Sequence, residues 1–118
     1  MAAPNLLGTT TVTGKTALAT LTTVTANVIT NSSSSGTVDK LNNIVLSNYS
    51  ASAVTANIMI NRSSTVYYVG GTVAIPANST LVLLGKDTSI YLEEGDVLQA
   101  NVSANTSVSM SASYELMS

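Results

Sequence analysis

The sequence contains no cysteine and no histidine, and only 8% of its 118 residues are charged. Without cysteine the chain can form neither a disulfide framework nor a thiolate metal site. Without histidine or cysteine, the serine and threonine hydroxyls lack the usual partner for nucleophilic catalysis, and no imidazole can hold a metal ion. We therefore predict that the protein is not an enzyme and has no catalytic residues, no metal ligands and no cofactor.

Basic residues are also scarce, since the chain has four of them and a net charge of −2. Lys15, Lys40, Arg62 and Lys86 are scattered along the chain, which argues against a groove for nucleic acid. No apolar run reaches the roughly 18–20 residues of a membrane span, and the first residues do not resemble a signal peptide. We expect no nucleic-acid partner, no membrane partner, and a protein that is soluble when made.

Hydrophobic residues make up 45% of the chain, which is enough for one modest core in one domain. Threonine and valine favour strands, while serine and asparagine favour turns. Turn residues separate short apolar segments about every 8–12 residues, a spacing typical of all-β domains. We predict an all-β, single-domain antiparallel β-sandwich or jelly roll over residues 10–118, with no helix.

Residues 97–103 and 107–116 carry the clearest alternation in the sequence. Their even positions are apolar and their odd positions are mostly serine or amide, so one face of each strand should be buried. The apolar positions are Leu98, Ala100, Val102, Val108, Met110, Ala112, Tyr114 and Leu116. Because residues 104–106 suit a tight turn, we predict that the two segments pair as an antiparallel hairpin.

Shorter patterns predict the other strands, at residues 16–22, 26–30, 38–49, 53–61, 65–69, 72–75, 80–84 and 89–92. The segment around Ile44 is apolar at consecutive positions, which indicates either a central strand covered on both faces or a β-bulge. Gly70 and Gly71 lie between two of the predicted strands, and we interpret them as a break in the chain's extended path.

Residues 1–9 show no periodicity and include Pro4 and Gly8. We assign them to an extended N-terminal arm, because nothing in them can form a core alone. We expect contact with a neighbouring subunit to order this arm, which makes the protein a homo-oligomer.

Gly14, Lys15 and Thr16 invite comparison with a phosphate-binding loop. In that motif four residues separate the two glycines and a helix follows. Here five residues separate Gly8 from Gly14 and no helical pattern follows. We favour a turn between strands over a nucleotide site.

Glu93, Glu94 and Asp96 form the densest acidic group in the chain. Their order lacks the spaced ligands of a calcium loop, and adjacent carboxylates on a strand point to opposite faces rather than flanking one glycosidic bond. We interpret the group as an exposed acidic turn that keeps a sheet edge soluble.

Six blocks of the sequence carry a resemblance: residues 1–5 (MAAPN), 13–17 (TGKTA), 31–36 (NSSSSG), 40–48 (KLNNIVLSN), 89–96 (SIYLEEGD) and 111–116 (SASYEL). Taken over most of its length, the chain resembles a family of short virion structural proteins of tailed bacteriophages. It is most similar to those of contractile-tailed phages that infect marine cyanobacteria. Such families carry no enzymatic residues, so the resemblance transfers none.

The resemblance implies a particle component, made in the host cytoplasm and located in the virion. We expect a capsid decoration or cement protein that binds the major capsid protein or other virion proteins as a homo-oligomer. Two alternatives stay open: a neck, tail or baseplate accessory subunit, and a glycan-binding module. For the last of these, the adjacent aromatics Tyr67 and Tyr68 are the candidate sugar platform.

Overall fold

The computed structural model describes residues 11–85, 90–104 and 108–118. Within these ranges the chain forms strands and no helix. The strands are β1 (Val12–Leu21), β2 (Ala26–Thr30), β3 (Val38–Asn48), β4 (Val54–Arg62), β5 (Thr65–Ile75), β6 (Ser79–Leu84), β7 (Ile90–Leu92), β8 (Val97–Val102) and β9 (Val108–Met117). The predicted arm at residues 1–9 lies outside the described residues, as do two of the three residues of the predicted link at 104–106.

The strands form two antiparallel sheets that pack face to face, which confirms the predicted β-sandwich. Sheet A has five strands in the order β1-β9-β3-β6, with β7 also paired to β3. Sheet B has four strands in the order β2-β8-β4-β5. The strand pairings follow one long hairpin that is rolled up: β1 pairs with β9, β2 with β8, β3 with β6 and β7, and β4 with β5. This pairing scheme is the jelly-roll topology.

The predicted hairpin of residues 97–103 with 107–116 is wrong, because β8 and β9 lie in different sheets. β8 pairs with β2 and β4, and β9 pairs with β1 and β3. Both strands nevertheless bury their even positions in the same core, from opposite sides. Alternation reports only which face is buried, so it cannot distinguish two paired strands from two strands that oppose each other across the core.

The predicted inward face of β9 is confirmed for its first half. Val108, Met110 and Ala112 are buried, whereas Ser109 and Ser111 between them are half-buried. From residue 113 to residue 117 every position is half-buried. Tyr114 still packs against the core as a half-buried side chain, but the contrast in burial between even and odd positions is lost in this half.

β3 contains the β-bulge that was one of the two interpretations of its sequence. Its register against β9 shifts between Leu41 and Asn43, so the buried position changes from Leu41 to Ile44 and Leu46. Val45 is half-buried on the outer side of sheet A. The extra residue moves the buried positions of β3 from odd to even numbers, and the apolar run at residues 44–46 arises because Val45 lies on the outer side.

Gly70 and Gly71 do not break the chain into two strands as predicted. They lie inside β5, whose register against β4 shifts twice. A Cβ atom at Gly70 would stand 2.9 Å from Val73 Cγ2 and 3.0 Å from Leu83 Cδ1, so the close approach of neighbouring side chains favours glycine here. The two glycines therefore permit an irregular strand that still pairs along its length.

The core between the sheets consists of large aliphatic side chains from both. Its fully buried members include Leu21, Leu41, Ile44, Leu46, Ile58, Ile75, Leu92, Leu98, Val108 and Met110. Burying each such side chain contributes about 1.5–3 kcal/mol. This core holds two outer sheet faces in fixed positions, and those faces carry polar side chains.

One end of the sandwich is closed by Asn48, a buried amide at the end of β3. Its Nδ2 donates to the backbone oxygens of Ser52 (2.9 Å), Ile75 (3.3 Å) and Pro76 (3.2 Å). Its Oδ1 accepts from the backbone N–H and the hydroxyl of Ser50, at 3.1 and 2.8 Å. The single side chain thus satisfies backbone groups of two separate turns.

Candidate functional site

The outer face of sheet A carries small uncharged side chains in rows that cross the strands. Residues that are partners in the registers of β1, β9, β3 and β6 stand side by side on this face. We call it the hydroxyl face and define it as Thr16, Leu18, Thr20, Val45, Ser47, Thr80, Val82, Ser109, Ser111 and Ser113. None of these residues is charged, so the alternation of serines seen in the sequence becomes an uncharged surface.

Two aliphatic side chains stand out from the hydroxyl face. Leu18 on β1 is 78% exposed and Val82 on β6 is 60% exposed, at opposite sides of sheet A. A shallow depression of about 310 Å³ lies beside Leu18, and the residues that line it include Thr20, Ser47 and Ser111. The face therefore offers apolar contact area at its sides and hydroxyl groups between.

The hydroxyls of this face are only loosely bonded to each other. The oxygens of Thr16 and Ser113 are 3.3 Å apart, and those of Ser47 and Thr80 are 3.4 Å apart. Hydroxyl hydrogen bonds are usually 2.5–3.0 Å long. These groups can therefore turn to a partner surface without losing a strong bond.

The outer face of sheet B is polar in a different way. We call it the amide face and define it as Thr25, Asn27, Asn57, Met59, Tyr68, Gln99 and Asn101. Its amides bond to one another: Gln99 Nε2 donates to Asn27 Oδ1 at 2.8 Å, and Asn57 Nδ2 donates to Asn101 Oδ1 at 3.0 Å. Asn101 Nδ2 also donates to Thr25 Oγ1 at 2.9 Å. These side chains use their donors and acceptors within the sheet.

The acidic turn is built around an ion pair rather than being simply exposed, which corrects the sequence interpretation. Asp96 is fully buried, and Arg62 Nε and Nη2 donate to its two carboxylate oxygens at 2.7 and 2.6 Å. Glu93 contributes its backbone N–H to Asp96 at 2.8 Å and a second contact to Arg62 at 3.1 Å. We call Arg62, Glu93 and Asp96 the ion-pair clamp.

The charges of the clamp stabilise each other. Burial alone would raise the pKa of Asp96, but the Arg62 hydrogen bonds, the Glu93 N–H and the Arg62 charge outweigh burial and lower that pKa. The hydrogen bond to Asp96, with the nearby carboxylate charges, raises the pKa of Arg62. Asp96 is therefore ionised, and its carboxylate oxygens accept hydrogen bonds from Arg62 and Glu93. Its role is structural.

Glu94 and Asn31 complete this end of the sandwich. Glu94 Oε2 accepts the backbone N–H of Gly36 at 2.7 Å. The buried Asn31 donates through Nδ2 to the backbone oxygens of Thr37 (3.1 Å) and Leu92 (3.0 Å). The acidic turn and the serine-rich loop before β3 are thus fastened to one another.

In the described part of the chain no group of three or more histidine, cysteine, aspartate or glutamate side chains could hold a metal ion.

Asp39 is a second buried carboxylate, and its surroundings are the opposite of those of Asp96. It is 3% exposed on β3, and its Oδ1 has no hydrogen-bond partner. Burial raises the pKa of Asp39 to about 6, and the charge of Lys15 opposes this shift. Burial, together with the charge of Asp39, also raises the pKa of Tyr114. No feature of the sequence indicated this site.

Two sequence motifs are placed differently from their predictions. Gly14, Lys15 and Thr16 lie inside β1 and pair with β9, so they form a strand rather than a turn, and they do not form a phosphate loop. Tyr67 and Tyr68 are both exposed, but Tyr67 is opposite Ile60 and Tyr68 is opposite Met59. They point to opposite faces of sheet B and do not form one platform.

Tyr67 instead lines a cleft between the two sheets. The cleft has a volume of about 380 Å³, and its lining includes Ile60, Arg62, Ile90 and Tyr91. Tyr91 belongs to β7 of sheet A, so its closeness to Tyr67 follows from the packing of the sheets and could not be found from adjacency in the sequence.

Comparison with protein-family models finds no match for the chain, and comparison with curated proteins finds none either. Among the residues that the structure describes, no helix is long and apolar enough to cross a membrane.

Proposed function

We propose that the protein is a non-enzymatic structural subunit of a phage virion, a capsid decoration or cement protein that attaches to the head shell through its hydroxyl face. The observation that carries this proposal is the hydroxyl face itself, an uncharged surface with two exposed aliphatic side chains. The resemblance to phage virion proteins supports it. The jelly roll is also an architecture of viral capsid and lectin domains, which is compatible with the proposal without deciding the function.

The two outer faces differ in what they can offer the major capsid protein or another virion protein. The hydroxyls of sheet A are weakly engaged, whereas the amides of sheet B are bonded among themselves at 2.8–3.0 Å. Replacing a good internal hydrogen bond by an intermolecular one gains little free energy. Burial of Leu18 and Val82 adds apolar contact area, and many copies on one particle make weak attachment effective.

A matched pair of variants tests the attachment face. Val82→Lys places a charge on the hydroxyl face, and Val66→Lys makes the same change on the outer side of β5, where Val66 is 41% exposed. Each variant is added to particles that lack the protein, and the bound copies are counted after sedimentation. We expect Val82→Lys to lower occupancy at least about tenfold, because docking would bury an unpaired charge, and Val66→Lys to bind like the wild type.

Loss of binding by Val66→Lys, with Val82→Lys unaffected, would overturn the choice of face. Copy number and position in a reconstructed particle test the assignment itself. Hundreds of copies on the head would support a decoration protein. Rings of about six to a few dozen copies on the neck, tail or baseplate would support the accessory-subunit alternative.

The cleft between Tyr67 and Tyr91 favours glycan binding as a second candidate function. Two phenol rings, the Arg62 guanidinium and a volume of about 380 Å³ match the mixture of aromatic surface and few polar groups found in small-ligand sites. Binding to a glycan array that disappears in both Tyr67→Ala and Tyr91→Ala, but persists in Tyr68→Ala, would support it.

A further inference from the structure

The four edges of the two sheets are not equally protected. Sheet edges in monomeric proteins are usually kept short, bulged or charged, because an open edge can pair with another strand. β2 has five residues and a register shift, and β7 has three residues. β6 has six residues and a shift opposite β3, and β5 shifts register twice opposite β4.

β1 is the exception among these edges. It has ten residues and pairs with β9 without any shift in register. Among the described residues no other strand pairs with β1. Its only charge is Lys15, an exposed residue on the side of the strand that faces the core, near Asp39. One inward-pointing charge is a device that protects edges, but β1 has neither the short length nor the register shifts of the other edges. The side of β1 that no described strand covers is therefore a long, regular template for another strand.

We propose that β1 pairs with β1 of a second copy of this chain, antiparallel about a two-fold axis at Leu18, so that the two copies of sheet A become one continuous sheet. The proposal deepens the proposed structural role, because it names the contact through which copies assemble. It joins two hydroxyl faces side by side, which would double the surface available for attachment and strengthen binding through avidity.

The register of the proposed β1–β1 pair is the one that brings matching side chains together on the same face of the sheet. Partners across an antiparallel pair point to the same side of the sheet, so a two-fold axis at Leu18 places Thr16 opposite Thr20 and Ala17 opposite Ala19. The two Leu18 side chains then meet directly and cover each other, and 78% of each is exposed in the single chain. An axis at Ala17 would place Leu18 opposite Thr16, which covers less apolar surface.

Charge also favours a second copy in this orientation. With the axis at Leu18, Lys15 lies opposite Leu21, and the two lysines stand at opposite ends of the paired segment. A parallel arrangement in register would instead place the two Lys15 side chains next to each other. Each off-axis contact occurs twice in a two-fold interface, and the contact on the axis takes one Leu18 from each subunit.

Cysteine chemistry offers a direct test, since the chain contains no cysteine. Leu18→Cys places the thiol at the proposed axis, where opposed Cβ atoms lie about 4.5–5.5 Å apart, close enough for a disulfide after a small adjustment. Val82→Cys places a thiol on the same face, at the opposite edge of the sheet. Under mild oxidation we expect Leu18→Cys to form covalent dimers at least about tenfold faster than Val82→Cys.

Sedimentation of the purified protein provides the second measurement. We expect the wild type and Val82→Lys to be dimers at micromolar concentration and Leu18→Lys to be a folded monomer, with folding checked by circular dichroism. Equal cross-linking of the two cysteine variants, or a wild type that stays monomeric, would overturn the proposal. So would fast cross-linking of Leu18→Cys only after deletion of residues 1–9, because the chain's own first residues would then occupy the edge.

These measurements use no particles. A monomeric protein whose Val82→Lys variant still fails to bind heads would refute the β1 contact and leave the attachment proposal standing. A dimer that does not bind heads would refute the attachment and leave the contact.

Discussion

The hydroxyl face and the amide face are both polar, but they differ in how tightly their side chains are hydrogen-bonded within the sheet. On the amide face, side chains from neighbouring strands bond to one another at 2.8–3.0 Å. On the hydroxyl face, the corresponding contacts are 3.3–3.4 Å long. Polar groups that are satisfied within the sheet stabilise the fold, and groups left loosely bonded remain available to a partner. Composition alone does not distinguish these two states.

The same contrast separates the two buried aspartates. Asp96 is held by the ion-pair clamp in front of β8 of sheet B, and its pKa is lowered. Asp39 on β3 of sheet A has an oxygen without a partner, and its pKa is raised by burial to about 6. Sheet B is therefore expected to depend on its polar contacts for stability, while sheet A tolerates an unfavourable one.

The largest effect is expected from breaking the clamp with Arg62→Met. This change leaves the buried Asp96 charge without its guanidinium. Breaking a fully buried pair costs about 3–5 kcal/mol, which is the upper figure here because the Arg62 side chain is 48% exposed. Urea unfolding at pH 7 measures the loss in the free energy of unfolding. Glu93→Gln is the control, because the Arg62–Glu93 contact is half exposed and exposed pairs are worth about 0–1 kcal/mol. Equal effects of the two substitutions would contradict the assignment of Asp96 as the central partner.

The next largest effect concerns pH and the unpaired Asp39. Its pKa of about 6 lies above the ordinary value of 3.8, so the folded state binds more protons than the unfolded state between these values. Stability should therefore be greatest below about pH 4 for this group and fall as pH rises to about 6, by about 2–3 kcal/mol in total. Asp96 does not contribute in this window, because its pKa is lowered below 3.8 and its stabilisation is lost only at lower pH.

Asp39→Asn removes the titrating group and isolates this contribution. We expect the variant to be more stable than the wild type at pH 7 and nearly equal to it at pH 4, as measured by urea unfolding at both values. A wild type whose stability rises between pH 4 and 6, in parallel with the variant, would show that Asp39 is paired in the folded protein.

The sequence predicted the class of fold and most strand positions, because period-two alternation directly reports a buried face. Val108, Met110 and Ala112 are inward as predicted. The partner of each strand was not predictable in the same way. β8 and β9 are neighbours in sequence and share the buried parity, yet the rolled hairpin pairs β8 with β2 and β9 with β1. The pairing of distant strands depends on how the whole chain rolls up, and the alternation of apolar residues within one strand does not show it.

The sequence predicted the polar outer side of β9 but not the residues around it. The serines of β9 indicated a polar outer face, and that face is present. The ion-pair clamp was missed because Arg62 and Asp96 are 34 positions apart, and nothing in a short acidic turn shows that a distant arginine reaches it. The exposed Leu18 was also not evident, since a leucine in an alternating strand is usually assigned to the core.

Side-chain deletions on the two outer faces test the comparison itself. Asn57→Ala removes the acceptor for the Thr72 backbone N–H, at 2.8 Å, and the donor to Asn101. We expect a loss of about 1–2 kcal/mol in the free energy of unfolding. Ser111→Ala on the hydroxyl face should change stability by less than about 0.5 kcal/mol. The contrast between the faces fails if both substitutions cost the same.

The smallest effect is expected from salt, on attachment through the hydroxyl face. The face contains no charged residue, and Lys40 and Glu115, partners in the register between β3 and β9, lie beyond its end. Screening weakens interactions between exposed charges, whereas apolar contacts and hydroxyl hydrogen bonds do not depend on it. Raising NaCl from about 0.1 to 1 M at neutral pH should therefore leave occupancy on particles unchanged within about twofold. Release of the protein at about 1 M NaCl from shells that remain intact would show that charge carries the contact, and a face other than the hydroxyl face would then be the attachment surface.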